Sequence, residues 1–586
     1  MTPYYGQSAQ SMRRLQYQTD ICVLGGGLSG MCAAIAAARS GAGVVLIHDR
    51  PVLGGNASSE IRMHICGADR HGQIPNMRET GILEEIRLEN AYRNPQGSYS
   101  VWDTVLWEMV FQTPNIKLLL NCSCYDASVE QDTIRSITAW QLTTETHHTV
   151  EASIYLDCTG DGILGPLAGA EFRLGREAAS EFGESLAPEK ADSQTMGCTC
   201  MFRARKHDTP QPFTPPKWAY KYPTDESLGI GRGHRVIDMG YWWIEVGGKG
   251  HPIYDLEEMR DELLRMVYGV WDHIKNHGDH GAEYYALDWI QFLPGKRESR
   301  RLMGDHILTQ GDIEAEGRFE DLVAYGGWTM DDHTMGGFRV PHLQPTHWHP
   351  APSPYGIPYR CLYSKNITNL GFAGRNISAT HIATSSTRVM GTCAVMGQAI
   401  GTAAALATKH NCSLTDIGQD RIKELQRILM DDDCYLPWHK RQINELTLHA
   451  TLTATANPEP LRDGVDRPVG ENDHAWIGSV NDCITYTFGA VKHVKRARFV
   501  FDTGLDRSFT FTWLEGRQPA ALPQELVTDF EIEALVDGQW QHIKAIKNNY
   551  QRLVYVDLDL AAQGIRFTPK ATRGARQVKL YGFTLE

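Results

Sequence analysis

The order of apolar and polar positions changes character three times along the chain. Near the start, Asp20–Leu24 reads as a short strand, apolar from Ile21 on. It runs into Gly25-Gly26-Gly27-Leu28-Ser29-Gly30, an Ala-rich helical stretch to Arg39, and a second apolar run, Gly43-Val44-Val45-Leu46-Ile47. Strands apolar on both faces and joined by a helix predict a parallel sheet covered on both sides. Strand-like runs at Ile116–Leu120 and Ser153–Leu156 extend it, the second ending in Asp157-Cys158-Thr159-Gly160-Asp161-Gly162. From about Pro166 to Pro354 the pattern turns mixed, with a charged helix near Leu256–Lys275 and a long loop rich in Pro, His and Trp. The parallel-sheet pattern resumes at Asn369–Arg375 and a small-residue helix through Ala407, and a polar helix, Leu414–Asp431, leads away. Beyond Thr447, short alternating runs at Ala497–Phe501, Phe509–Trp513, Leu553–Leu558 and Gln577–Leu580 are separated by turn residues, the spacing of an antiparallel β-sandwich.

These patterns predict an α/β protein: a Rossmann-like nucleotide-binding domain split by an inserted α+β substrate domain, with an all-β sandwich at the C-terminus. The expected boundaries are 18–165 and 355–410 for the two parts of the nucleotide domain and 166–354 for the insertion. A helical linker is expected over 411–446 and the sandwich over 447–586.

Composition narrows the function. A net charge of −13 with no Lys/Arg run excludes nucleic acid as an expected partner. The most apolar stretches, Met31–Ala38 and Cys393–Ala407, are too short for a bilayer and predict packed core helices, so no membrane partner is expected. The first twenty residues carry no apolar signal core, and thirteen cysteines lack the dense spacing of a disulfide scaffold. A cytoplasmic protein is the expectation; an exported form with its signal removed gives the same pattern.

Gly25, Gly27 and Gly30 supply G-x-G-x-x-G between a strand and a helix, the context that gives the motif its meaning. The first glycine permits the tight turn, the second lets backbone approach a pyrophosphate, and the third lets helix and strand pack closely. The free N–H groups of the helix start, with Leu28 and Ser29, then face the phosphates. An acidic residue about 20 positions on normally holds the ribose; here His48 stands in its place, and Asp49 is the remaining candidate.

Three further segments resemble the FAD-dependent oxidoreductases, whose fold is shared by fumarate reductase flavoproteins and, distantly, by heterodisulfide reductase flavin subunits. They are Arg50-Pro51-Val52-Leu53-Gly54-Gly55-Asn56-Ala57-Ser58-Ser59-Glu60-Ile61-Arg62, then Asp157–Gly162, and last Gly371-Phe372-Ala373-Gly374-Arg375 with Thr387–Gly391 and Gly397–Gly401. The resemblance spans roughly 18–410. It implies one non-covalently bound FAD, held by Arg50, Gly55, Asn56, Ser58, Ser59 and Arg62, by Thr159, Gly160 and Asp161, and by Gly374, Arg375, Arg388, Val389 and Met390. Some relatives attach FAD through a histidine, but not in the local context of His64. The C-terminal part resembles galactose-binding-like jelly rolls of carbohydrate-active proteins.

For chemistry the protein must supply orientation and a base. An imidazole titrates near neutrality and takes a hydroxyl proton as hydride leaves carbon. Two candidates stand: His333, with Asp331 to orient it, and His381, just before the late helix. Arg297 and Arg300, in the run Gly295–Asp305, suit bidentate recognition of carboxylates or vicinal hydroxyls. His342, His347 and His349 lack a neighbouring carboxylate or Cys at tight spacing, so no metal is expected. Trp242, Trp243, Trp289, Trp328 and Trp348 offer aromatic faces that suit sugar rings. The expected function is hydride transfer between flavin N5 and a small substrate, the secondary alcohol of a sugar, glycoside or polyol, with an external electron acceptor and a second subunit left open. Two alternatives remain: a fumarate-reductase-like enzyme acting on a carboxylic acid, and a non-catalytic glycan-binding flavoprotein.

Overall fold

The computed structural model describes residues 12–248, 250–509 and 521–586. The run expected at Phe509–Trp513 lies, beyond Phe509, outside them. The first sheet consists of β1 (Arg13–Leu24), β2 (Val44–Ile47), β3 (Ile116–Leu119), β4 (Cys122–Glu130), β5 (Thr133–Gln141), β6 (Thr146–Asp157) and β7 (Leu370–Phe372). β1 lies between β2 and β6, parallel to both, and β2 carries β3. β6 is long enough for two neighbours on its far side. Its first half pairs antiparallel with β5, which pairs with β4, while its last residues, Tyr155–Asp157, run parallel to β7. The chain therefore leaves the sheet at Asp157 and returns to it at Leu370.

Two helices cover the middle of this sheet, α1 (Leu28–Arg39) and α2 (Met390–His410). Their small residues have a steric cause. A Cβ on Gly397 would fall 2.0 Å from the Ser29 carbonyl oxygen, and one on Gly401 would fall 2.2 Å from that of Ala33. The two backbones are thus in contact at these glycines, with no room for a side chain between them. α2 is the one helix among the described residues long and apolar enough to cross a membrane, and 94% of that apolar window is buried inside the fold.

The insertion has its own core, built from Phe202, Tyr241, Trp243, Trp271 and the apolar face of the helix Leu256–Asn276. Cys198–Thr199 pairs with both Glu245–Val246 and Gly295–Lys296, and Met330–His333 pairs with Thr346–His349. These short ladders bring Thr199, Glu245, Lys296 and Arg297 to one place. The polar helix expected at Leu414–Asp431 forms as two, Leu414–Asp420 and Ile422–Asp431, parted at Arg421.

The C-terminal region is all antiparallel. Its ladder is continuous through seven strands because Ile484–Phe501 and Leu553–Thr572 are long and bulged enough to serve both layers of the sandwich. Phe499, Phe501, Phe530, Phe567 and Phe583 stack into its core. The sandwich is sealed onto the nucleotide domain by buried arginines. Arg78 is paired with Glu84 at 2.8 Å and donates to the carbonyls of Thr503, Gly504 and Arg507, while Arg552 pairs with Asp433 at 2.8 Å.

Candidate functional site

The turn between β1 and α1 is shaped by three glycines with three different constraints. Gly25 has φ +96°, and a Cβ there would meet the Cys158 carbonyl oxygen at 2.4 Å. A Cβ on Gly30 would fall 1.8 Å from the Gly25 carbonyl oxygen, so Gly30 holds helix and strand together. Gly27 differs from both. Its φ of −67° and ψ of 176° are open to any residue, and a Cβ there would meet only the Gly55 Cα, at 3.9 Å. What Gly27 keeps clear is a cavity.

That cavity, of about 400 Å³, runs from the nucleotide domain to the insertion. Gly25, Gly27, Leu28 and Ser29 form one wall, where the first amides of α1 have no partner within the helix. Asp49, Gly55 and Asn56 continue it; Thr159, Gly160 and Asp161 face them. Gly374, Arg375, Arg388, Val389 and Met390 close it where α2 begins. Five residues expected to hold the cofactor are absent from these walls. Gly30 lies within α1, packed against the Gly25 carbonyl. Arg50 forms two hydrogen bonds with Glu60, at 3.0 and 2.5 Å. Ser58 is buried and accepts from the Glu60 amide, the Ser59 amide donates to Asp103, and the Arg62 guanidinium is stacked between Tyr99 and Trp289. Those side chains shape the loop around the cavity from outside.

His48, at the usual position of the ribose acid, braces the glycine turn. The Gly26 amide donates to its Nδ1 at 2.9 Å, and Nε2 lies 3.1 Å from the Val52 carbonyl. Burial lowers the His48 pKa, which keeps Nδ1 available as an acceptor. Asp49 stands beside it on the cavity rim, 62% exposed.

The charged groups are arranged in compensated pairs. Asp161 receives Arg375 at 2.6 Å, Lys296, and the Ser299 hydroxyl at 2.7 Å. Burial would raise its carboxyl, but the two cations bring it down to about 2. At the insertion end, Arg297 spends all three nitrogens on protein: Nε on His333 Nε2 at 3.2 Å, Nη1 on the Thr199 hydroxyl at 2.6 Å, and Nη2 on the Trp242 carbonyl at 2.9 Å. Glu245 lies 3.4 Å from Arg297 and 2.7 Å from His333 Nδ1. Burial opposes the charge on Glu245, and Arg297 and His333 restore it, so its pKa is lowered. Arg388 faces Asp331 at 3.3 Å. Burial likewise opposes ionisation of Asp331, and His333 and Arg388 hold its carboxyl well below the usual range.

The structure separates the two histidines proposed from sequence from the cavity. His333 is 3% exposed and stands behind Arg297 and Trp242, oriented chiefly by Glu245; Asp331 is 3.4 Å from its other nitrogen. His381 is enclosed between Glu298 at 2.8 Å and Asp332 at 3.2 Å. Burial works against its charge, but these two carboxylates raise its pKa to about 9, so it is a cation at neutral pH and not a base. Arg300 also lies outside the walls, over the Phe172 ring and donating to the Asp161 carbonyl. Besides His48, which braces the glycine turn, the imidazole that lines the cavity is that of His64. Its ring makes no hydrogen bond among the described residues and packs on His71 at 4.8 Å. Burial, reinforced by His71, depresses its pKa to about 3, leaving it neutral. Of the five tryptophans singled out, Trp242 reaches the walls, beside Met63, Met201 and Gln291. Cys122 and Cys124 line the nucleotide end as thiols, pushed up to about 12 by burial.

A strand–glycine turn–helix whose second glycine clears a cavity, closed by a distant second helix, defines a dinucleotide-binding flavoprotein. The match of residues 20–429 to the model of the FAD dependent oxidoreductase family places the chain in that family, and FAD is its cofactor. No curated protein matches the chain. Among solved structures it is similar to a geranylgeranyl bacteriochlorophyll reductase-like protein from Thermoplasma acidophilum, with 14% identity over 71% of this chain and 84% of that one and a TM-score of 0.33. It is also similar to the family 32 carbohydrate-binding module of Streptococcus pneumoniae EndoD, with 14% identity over 24% and 98% and a TM-score of 0.19. A third similarity is to the family 32 module of C. perfringens NanJ in complex with galactose, with 14% identity over 24% and 93% and a TM-score of 0.18.

Proposed function

We propose that this FAD-dependent oxidoreductase oxidises a secondary alcohol of a sugar, glycoside or polyol. The observation that carries the reading is the charge balance at the insertion end. Arg297 and Arg388 each face a protein carboxylate, and every nitrogen of Arg297 is already hydrogen-bonded to the protein. That wall therefore offers a dicarboxylate no uncompensated positive field, which disfavours the carboxylic-acid alternative. What remains is the Trp242 face, two methionines and the neutral His64, suited to a ring with apolar C–H faces and hydroxyl edges.

The Gly25–Ser29 turn and the start of α1 hold the diphosphate, Asp49 the nucleoside end, and Asn56, Arg388 and Met390 the ring end. Bound FAD supplies the hydride acceptor. Trp242 orients the substrate, and the lone pair of the neutral His64 accepts the hydroxyl proton. The hydrogen-bonded pair Glu245–His333 supports a second assignment of the base, in which Arg297 moves aside to open Nε2 of His333.

The test is anaerobic bleaching of the purified yellow protein against a panel of sugars and polyols set beside dicarboxylates. Bleaching by the neutral compounds is expected. Bleaching by dicarboxylates alone would replace the reading by the acid alternative, and bleaching by neither would favour the non-catalytic one.

A further inference from the structure

Away from the cavity, the insertion gathers four side chains whose chemistry the oxidoreductase reaction does not use. Asp225 begins the short helix Asp225–Leu228, His234 lies in the loop after it, His273 is in the last turn of the helix Leu256–Asn276, and His280 follows that helix. The distances from Asp225 Oδ1 to the Nε2 atoms of His273, His234 and His280 are 3.1, 3.5 and 3.8 Å. One ligand atom from each of the four lies within 4.8 Å of all the others. The three imidazole rings meet pairwise at centroid distances of 5.1, 4.8 and 4.8 Å.

We propose that these four residues form a zinc site, with three imidazoles and one carboxylate as ligands. A tetrahedral ion bound at about 2.0–2.1 Å places its ligand atoms about 3.3 Å apart, close to the carboxylate–imidazole separations already present. Two histidines also have the outer contacts expected of metal ligands. His273 Nδ1 lies 2.7 Å from the Tyr222 carbonyl, and His234 Nδ1 lies 3.2 Å from that of Arg232, so each Nδ1–H is spent on backbone and each Nε2 lone pair points inward. His280 Nε2 lies 2.9 Å from the His277 carbonyl, a contact it exchanges for the ion. Three imidazole nitrogens favour zinc over the oxygen-preferring magnesium and calcium, and a closed four-ligand shell favours a structural role over a catalytic one.

The location gives the ion something to do. The Trp243 indole donates to the Gly233 carbonyl at 3.0 Å, next to His234. The segment tied to the metal through His234 thus leads directly to Trp242 on the cavity wall and to Glu245 behind it. Zinc would fix the loop that presents the substrate wall.

The test uses the full-length, FAD-loaded protein, dialysed against EDTA and titrated with zinc chloride. One zinc per chain by elemental analysis and a higher melting temperature are expected. His234→Ala and His280→Ala should weaken zinc binding by more than about 100-fold while keeping the flavin-to-protein ratio of the wild type. Cobalt(II) in the wild type, which needs no variant to fold, should show intense four-coordinate d–d bands without thiolate charge-transfer bands. Failure to take up zinc would overturn the proposal. So would equal uptake by both variants, or thiolate bands that place the metal on the separate cluster His64, Cys66 and His71.

Discussion

Replacing Gly27 by alanine isolates the cofactor cradle from the fold. The backbone at Gly27 lies in a region alanine occupies freely, and the added Cβ meets no protein atom nearer than 3.9 Å. The apoprotein should therefore fold with its melting temperature within a degree or two of the wild-type apoprotein. The methyl group does enter the space where the diphosphate must approach the first amides of α1. A charge-assisted hydrogen bond is worth about 1.5–3 kcal/mol. Losing two of them costs about 3–6 kcal/mol, a weakening of FAD binding by about 10²–10⁴-fold. The assay is the dissociation constant from quenching of flavin fluorescence on titration with apoprotein, read beside a thermal melt of each. Gly30→Ala is the internal contrast: its Cβ would stand 1.8 Å from a carbonyl oxygen, so it should fail at folding rather than at binding. If Gly27→Ala bound FAD within about threefold of the wild type, a change of under 1 kcal/mol, the diphosphate would lie elsewhere and the reasoning would be wrong.

Other predictions test the remaining groups. His64→Gln should lower turnover by about 10²–10⁴-fold with FAD retained. Because an imidazole with a pKa of about 3 stays neutral, the wild type should show no acid limb in kcat/KM between about pH 5 and 8; an acid limb in that range would refute the assignment of the base to His64. His381 has a folded pKa of about 9, above its unfolded value, so its contribution is complete below about pH 6.5 and disappears as pH rises through 9. Wild-type stability should fall by about 3 kcal/mol across that interval and His381→Gln should show a flatter profile in denaturant melts, whereas a flat wild-type profile would contradict a charged His381. Arg78→Ala strands buried Glu84 and should cost about 3–5 kcal/mol, seen as a lower temperature for a single calorimetric transition.

The nucleotide half was legible because its constraints are local. A turn that needs positive φ at Gly25 and close packing at Gly30 must show glycines in sequence, and strands buried on both faces must read as unbroken apolar runs. Gly374–Met390 was named by resemblance to the family, not by such a local constraint. Five of the residues named for the cofactor lie off the cavity walls because neighbouring residues in a wrapped loop divide between the cavity and the protein, as Asn56 and Ser58 do, and no periodicity fixes the register of such a loop. The base was harder still. His333 and His381 sit at a strand end and a helix start that look chemically active, yet each is consumed by a carboxylate distant in sequence, Glu245 or Glu298. His64 gave no comparable signal, since its significance comes from lacking a partner. The cluster around Asp225 was invisible for a related reason: its residues are spread over more than fifty positions and meet only when the helix Leu256–Asn276 packs.

The arginine-sealed junction has a consequence for how the two ends of the molecule work together. Arg78 reaches from the nucleotide domain into loops of the sandwich, and Arg552 reaches back from the sandwich to Asp433. Parting the two would break Arg78's bonds to three sandwich carbonyls and the buried Arg552–Asp433 pair. The sandwich is therefore no tethered float sampling its surroundings on a leash; it is bolted to the chassis, and any ligand it grips is held at a constant offset from the flavin pocket.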